Sequence, residues 1–251
     1  MDLELSDKIA LITGSSSGLG LCIARTLHNE GCHIILNGRC RRRLAAAATE
    51  FSERIDRILG DVTSPDNASE IVRKIKRKYN RLDVLICNVG SGSSVAPGLE
   101  TPDEWRRMFD LNFFSATNII EHARPIMRVH GGNIVCISSI CGIEILGAPL
   151  TYSCAKASLN HYIKGCSRPF AKDGIRINAV APGNLLFPGS VWDNNLKEQP
   201  DTVKTMLEKE VSLSRLGKPE EVSRLVSFLA SPTSSFCTGA VFTSDGGQLR
   251  S

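Results

Sequence analysis

Residues 8–20, Lys8-Ile9-Ala10-Leu11-Ile12-Thr13-Gly14-Ser15-Ser16-Ser17-Gly18-Leu19-Gly20, pass from an apolar run through a glycine-rich turn into a segment of helical period. Glycines let the backbone turn tightly and bring amides close to a pyrophosphate at a helix N-terminus, where the dipole favours negative charge. The spacing Gly-x-x-x-Gly-x-Gly between a strand and a helix therefore reads as a dinucleotide cradle. Gly14, Ser16, Ser17, Gly18, Leu19 and Gly20 are its candidate contacts; a plain glycine turn is the alternative.

Outward from that turn, short apolar, β-branched runs alternate with longer helical segments. Strands are expected at Lys8–Thr13, Cys32–Asn37, Arg57–Gly60, Asp83–Cys87, Asn133–Ser138, Ile175–Val180 and Ala240–Thr243. Helices are expected at about Gly18–Glu30, Arg41–Glu53, Pro65–Tyr79, Pro102–Arg128, Tyr152–Lys172 and Pro219–Ala230. The strands are apolar throughout rather than alternating, as when both faces of a sheet are covered. The expected class is α/β: a doubly wound, mostly parallel, seven-stranded sheet with helices on both faces, residues 1–251 forming a single domain. Ligands in such folds sit beyond the carboxyl ends of the strands.

Composition narrows the function classes. A net charge of +4 is too small to argue for nucleic acid, and the basic run Arg73–Lys78 reads as a solvated helix face. Nine scattered cysteines lack zinc or disulfide spacing, and the five histidines offer no metal set. The acidic N-terminus is no signal peptide and no apolar run approaches membrane-spanning length, so no membrane partner and a reducing, cytoplasmic setting are expected.

The end of the second strand should choose between coenzymes. An acid there would accept hydrogen bonds from a ribose 2′-hydroxyl. This chain has Asn37-Gly38-Arg39 instead, and a guanidinium can grip a 2′-phosphate bidentately. NADP(H) is the expected cofactor, with NAD(H) the alternative. Asp61-Val62 follows the third strand, where the carboxylate would meet an adenine amino group or cap a helix, a job for which Ser64 competes. Asn88-Val89-Gly90 follows the fourth, to line the ribose or simply make the turn.

Farther on, Tyr152 and Lys156 stand four apart in Tyr-Ser-Cys-Ala-Lys, with Ser139 thirteen positions before the tyrosine. On a helix such a pair shares one face, and a nearby cation favours the phenolate of a group that otherwise holds its proton to a pKa of about 10. The Ser139 hydroxyl would hold a substrate oxygen at the same point. Ser138 competes for that role, and the Ser-x-x-Gly placement from Ser139 to Gly142 favours Ser139.

Taken together, Thr13–Gly20, Asp61-Val62, Asn88-x-Gly90, Asn112 in Asp-Leu-Asn-Phe-Phe, Ser139, Tyr152-x-x-x-Lys156 and Pro182-Gly183 resemble the short-chain dehydrogenase/reductase family, from about Lys8 to Gly247. The resemblance implies a Rossmann-type fold, a nicotinamide coenzyme and hydride transfer on an alcohol/ketone pair. It makes Tyr152 the general acid/base, Ser139 the orienter of the substrate oxygen, and Lys156 a ribose ligand that lowers the Tyr152 pKa. Asn112 would hold a helix geometry and a water behind Lys156, and Pro182 and Gly183 would complete the cofactor set. It also implies a small-molecule carbonyl or alcohol partner and a homotetramer or dimer paired through the helices at Pro102–Arg128 and Tyr152–Lys172. A 3-oxoacyl thioester is one candidate substrate; for an acyl-carrier partner, Arg128, Lys172 and Arg176 are the candidate docking cations.

The chain departs from the family at two places. Cys87-Asn88-Val89-Gly90 replaces the frequent Asn-Asn-Ala-Gly. Phe187 replaces a threonine that often meets the carboxamide, so the contact is expected to be lost or to pass to backbone or Asn184. That loss motivates the rival reading, a coenzyme-binding regulatory or scaffold protein without turnover. Residues 184–215 are expected to form an irregular substrate lid, with Phe187 and Trp192 as aromatic walls and Lys197, Lys204 and Arg215 as its cations. Glu144 would bind a substrate hydroxyl or amine, or face water.

Overall fold

The computed structural model describes residues 2–250. Seven strands form one sheet: β1 (Ile9–Ile12), β2 (His33–Gly38), β3 (Ile55–Leu59), β4 (Val84–Cys87), β5 (Gly132–Ile137), β6 (Ile175–Pro182) and β7 (Val241–Ser244). Their order is β3-β2-β1-β4-β5-β6-β7 and every neighbouring pair is parallel. The helices are α1 (Gly18–Asn29), α2 (Arg41–Ala48), α3 (Pro65–Tyr79), α4 (Pro102–Phe109), α5 (Ser115–Met127), α6 (Leu150–Ala171), α7 (Val191–Glu198), α8 (Pro200–Glu210) and α9 (Pro219–Ala230). None is long and apolar enough to cross a membrane.

All four β1 positions are buried, which is why that run shows no polar alternation. Its side chains nevertheless alternate between two cores. Leu11, Leu85, Ile134 and Ile177 pack with α3, α5 and α6; Ile12, Ile34, Val135 and Val180 pack with α1, α2 and α9. Each such aliphatic side chain contributes roughly 1.5–3 kcal/mol on burial.

Local signals set most helix ends. Ser64 accepts from the Asn67 amide with Pro65 behind it, and Asn80 closes α3 in the left-handed conformation at φ +51. Four expectations shift. The edge strand β3 begins two residues early, because one side of it faces solvent and its apolar signal is weaker. Helix α2 stops at Ala48, where Thr49 turns its hydroxyl back onto the Ala46 carbonyl. The Pro102–Arg128 run is not one regular helix: residues 110–114 widen to a π-turn, a local form frequent at functional sites. Residues 184–215 are not irregular, since α7 and α8 occupy most of them; Ser190 caps α7 through the Asp193 amide and Pro200 opens α8.

Candidate active site

Strand order reverses at β1, so the loops leaving β1, β2 and β4 diverge around a crevice at their carboxyl ends. In the loop after β1, Gly14 and Gly18 adopt φ of +64° and +57°, a region costly for residues with a Cβ. At Gly20 a Cβ would stand 2.6 Å from the Gly14 carbonyl oxygen. Asn88 ties this loop to β4, its side-chain amide donating to the Thr13 and Gly14 carbonyls at 3.0 and 3.2 Å, while the Thr13 hydroxyl accepts the Asn88 amide. Asn88 thus holds the cradle itself. No side chain caps α1 and no acid lies in its first turn. The residues present therefore fit a diphosphate, which would meet first-turn amides and the positive end of the helix dipole.

At the end of β2, Asn37 is spent on structure: its amide group donates to the Ile58 and Gly60 carbonyls, and its backbone N–H to buried Ser15. Ser16 lies against Gly38. Arg39 extends into solvent with its guanidinium 3.7 Å from Asp61 Oδ2. Asp61 also accepts from the Thr63 amide and hydroxyl, and the Val62 side chain is buried in the core, leaving only its backbone to face a ligand. Ser64, not Asp61, caps α3.

Beyond β4 and β5 the other candidates converge. Asn112, carried inward by the π-turn, grips Ser91 from both sides: Oδ1 accepts the Ser91 N–H at 3.0 Å, and Nδ2 donates to the Ser91 and Met108 carbonyls at 3.1 Å. Gly90 must be bare, because a Cβ would fall 2.8 Å from Asn112 Oδ1 and 3.1 Å from Lys156 Nζ. A Cβ at Gly92 would lie 3.9 Å from the Tyr152 ring, so residues 90–92 form a wall running from the ammonium to the phenol. The two serines divide their roles. Ser138 turns to Asn160 at 2.6 Å, whereas Ser139 accepts the Cys141 N–H and faces Tyr152.

The electrostatics differ from the sequence-based expectation that Lys156 lowers the tyrosine pKa. Burial pushes the Tyr152 phenol up to about 12, with the Ser139 hydroxyl pulling the other way. Burial likewise lowers Lys156 to about 8, opposed by Cys136 and Cys87, which sit in register on β5 and β4 beneath it. Lys156 Nζ donates to the Ile137 carbonyl at 2.8 Å and stands 5.9 Å from the Tyr152 ring centre. Loss of solvation outweighs attraction at that separation.

The remaining candidates lie apart from this group. Gly183 packs on Asp245, Glu144 accepts the Arg250 N–H at 3.3 Å, and Phe187 lies against Gly18, where it covers the cradle instead of walling the phenol. Pro182 ends β6 and Leu19 lies in the first turn of α1. Lys197 pairs with Asp193 and Arg215 with Glu221.

Sequence reading missed Glu104, because Thr101-Pro102-Asp103-Glu104 reads as an ordinary helix start. Its carboxylate accepts from Ser94 and from Arg107, which hold it down at about 2, and Ser94 also bonds buried Thr151, the neighbour of Tyr152. Glu104 therefore pins the far end of the wall that begins at Gly90. Glu104→Ala should lower kcat/KM for substrate about tenfold through KM, with coenzyme affinity unchanged, as steady-state kinetics and coenzyme titration will show.

Comparison with known proteins gives four matches. A family model described as enoyl-(acyl carrier protein) reductase matches residues 14–248. The 3-oxoacyl-(acyl-carrier-protein) reductase FabG of Thermotoga maritima is 30% identical over 251 residues, covering 98% of this chain and 100% of that protein. Among solved structures, L-sorbose reductase from Gluconobacter frateurii, complexed with NADPH and L-sorbose, matches with a TM-score of 0.94 at 30% identity over 100% of both chains. An NADPH-bound short-chain oxidoreductase from Pseudomonas aeruginosa PAO1 matches with a TM-score of 0.90 at 25% identity, over 98% of this chain and 99% of that one.

Proposed function

The chain belongs to the short-chain dehydrogenase/reductase family, and on that premise we propose that it is an NADP(H)-dependent oxidoreductase of an alcohol/ketone pair in which Tyr152 is the general acid/base. The observation that carries this reading is the half-buried Tyr152 phenol, faced by Ser139 and backed one helical turn on by buried Lys156, at the sheet end that also carries the uncapped glycine cradle. In this reading the carbonyl carbon would take hydride from a nicotinamide coenzyme held by these residues. In reduction, Ser139 donates a hydrogen bond to the substrate oxygen and Tyr152 Oη transfers its proton there. A pKa of about 12 keeps that proton on Tyr152 until charge develops on the oxygen. Lys156 would hold the ribose and stabilise the resulting phenolate, and Asn112 keeps Gly90 and Ser91 packed against it.

Arg39 would receive the 2′-phosphate, in keeping with the NADPH in the two solved neighbours. Gly14 to Gly20 would cradle the diphosphate, Asp61, the Val62 backbone and Gly90 the adenosine, and Pro182 and Gly183 the nicotinamide end. Residues 184–215 would be a helical lid, and the whole chain one domain. Copies would pair through the α5–α6 face, where Pro125, Tyr162 and Phe170 line a recess of about 640 Å³.

Following NADPH absorbance with a panel of ketones and 3-oxoacyl thioesters tests the reading. Turnover on at least one is expected. NADPH binding without turnover on any member would favour the non-catalytic rival, for which the absence of threonine at Phe187 is the only structural argument.

A further inference from the structure

Six of the twelve exposed large apolar side chains among the described residues lie beyond the carboxyl ends of β4, β5 and β6, the sheet end that carries Tyr152. Val95 and Leu99 lie between β4 and α4, Ile143, Ile145 and Leu150 between β5 and the start of α6, and Leu186 just after β6. Ile145 is 90% exposed and Leu99 68%. Loose apolar residues scatter over any surface, but here the Ser94–Thr151 bond ties the first two loops together beside Tyr152, so that Val95 and Leu150 flank one contact.

Several polar side chains of the same loops are turned to other work. The Ser91 hydroxyl accepts the Ser93 N–H, Ser94 is held by Glu104 and Thr151, and Glu144 takes the Arg250 backbone N–H. Arg107 is committed to Glu104, and in the lid Lys197 and Arg215 are committed to Asp193 and Glu221. Committed side chains bind a polyol or an anion poorly, because each new bond requires an existing one to break. The rim is continuous with the catalytic wall, since Gly92 on the Tyr152 ring and Val95 belong to one loop.

We infer that the substrate is a ketone, or the matching secondary alcohol, on an uncharged and mainly apolar framework, whose alkyl or alicyclic part lies on Ile143, Ile145, Leu150 and Val95. This rests on the oxidoreductase reading above. It sets the protein apart from its structural neighbour that binds L-sorbose.

The test compares kcat/KM for 2-alkanones of four to ten carbons with L-sorbose and acetoacetate, in wild type, Ile145→Asn and Lys204→Ala. Wild-type kcat/KM should rise about two- to fourfold per methylene until the rim is filled. Ile145→Asn should flatten that series, leaving butan-2-one, NADPH affinity and oligomer size unchanged. A flat wild-type series, or L-sorbose as the best substrate, would overturn the inference while sparing the oxidoreductase reading. Preference for acetoacetate that disappears in Lys204→Ala would do the same, as would an Ile145→Asn effect on oligomer size alone. Absence of turnover with every compound would overturn the oxidoreductase reading itself, and this inference with it.

Discussion

Tyr152→Phe is expected to lower kcat for carbonyl reduction by about a thousandfold while NADPH still binds with wild-type affinity. General acid catalysis contributes about 10²–10⁴-fold, and the substitution removes one oxygen from a ring that Gly92 and the α6 backbone continue to position. The fold should tolerate it, since the ring keeps its place beside Gly92 and Ser139 keeps its Cys141 contact. Fluorescence titration separates binding from turnover, and a variant that keeps more than about a tenth of wild-type kcat would remove Tyr152 from the acid/base role.

The pH profile adds a second readout. The parameter kcat/KM for NADPH reports groups of the free enzyme. Burial depresses Lys156 to about 8, so the ammonium proposed to hold the ribose is lost as pH rises through 8. The profile should be level below that point and fall above it, in Tyr152→Phe as well as in wild type. The same shift acts on stability with the opposite sense. An unfolded lysine keeps its proton to about 10.4, so between pH 8 and that value the unfolded chain holds more protons and the Lys156 contribution to stability rises with pH. Activity falls there while that strain is relieved, and chemical denaturation at pH 7.5 and 9.5 measures it.

Arg39→Asp should reverse the coenzyme preference. Arg39 is exposed beyond β2 and its nearest carboxylate, Asp61, is 3.7 Å away, so its guanidinium is held loosely and can turn to a 2′-phosphate. Loss of a charge-assisted pair and gain of a repelling carboxylate should lower kcat/KM for NADPH by about a hundredfold; NADH, whose 2′-hydroxyl the new aspartate can accept, should lose little or improve. A wild type that prefers NADH, or a variant with unmoved preference, would refute the assignment. No rearrangement of β2 is expected, because Asn37 and Ser15 anchor its end independently.

How far the chain could be read depended on whether a signal was local. Helices α3 and α9 match expectation at both ends because capping and proline residues act within one turn. The strand–helix alternation, the glycine turn and the spacing of Tyr152 and Lys156 are equally local, so order and fold class followed from them. Residues 184–215 were misread as irregular, since their prolines and glycines open α7 and α8 as well as they interrupt helices. Glu104 was missed for the converse reason: its meaning lies in Ser94 and Thr151, 10 residues back and, through Ser94, another 57 on.

By itself the sequence determined the α/β class, the family resemblance and the identities of the chemically capable groups, because these depend on period, turn chemistry and residue type. The tertiary structure decided what those groups are worth. It brought Gly90, Asn112 and Lys156 to one crowded point, gave Ser138 to Asn160 and Ser139 to Tyr152, and buried the ammonium beside a half-buried phenol. A pKa depends on solvent exclusion and on neighbours arriving from distant parts of the chain, so the upward shift of Tyr152 and the downward shift of Lys156 exist only once the chain has closed around them.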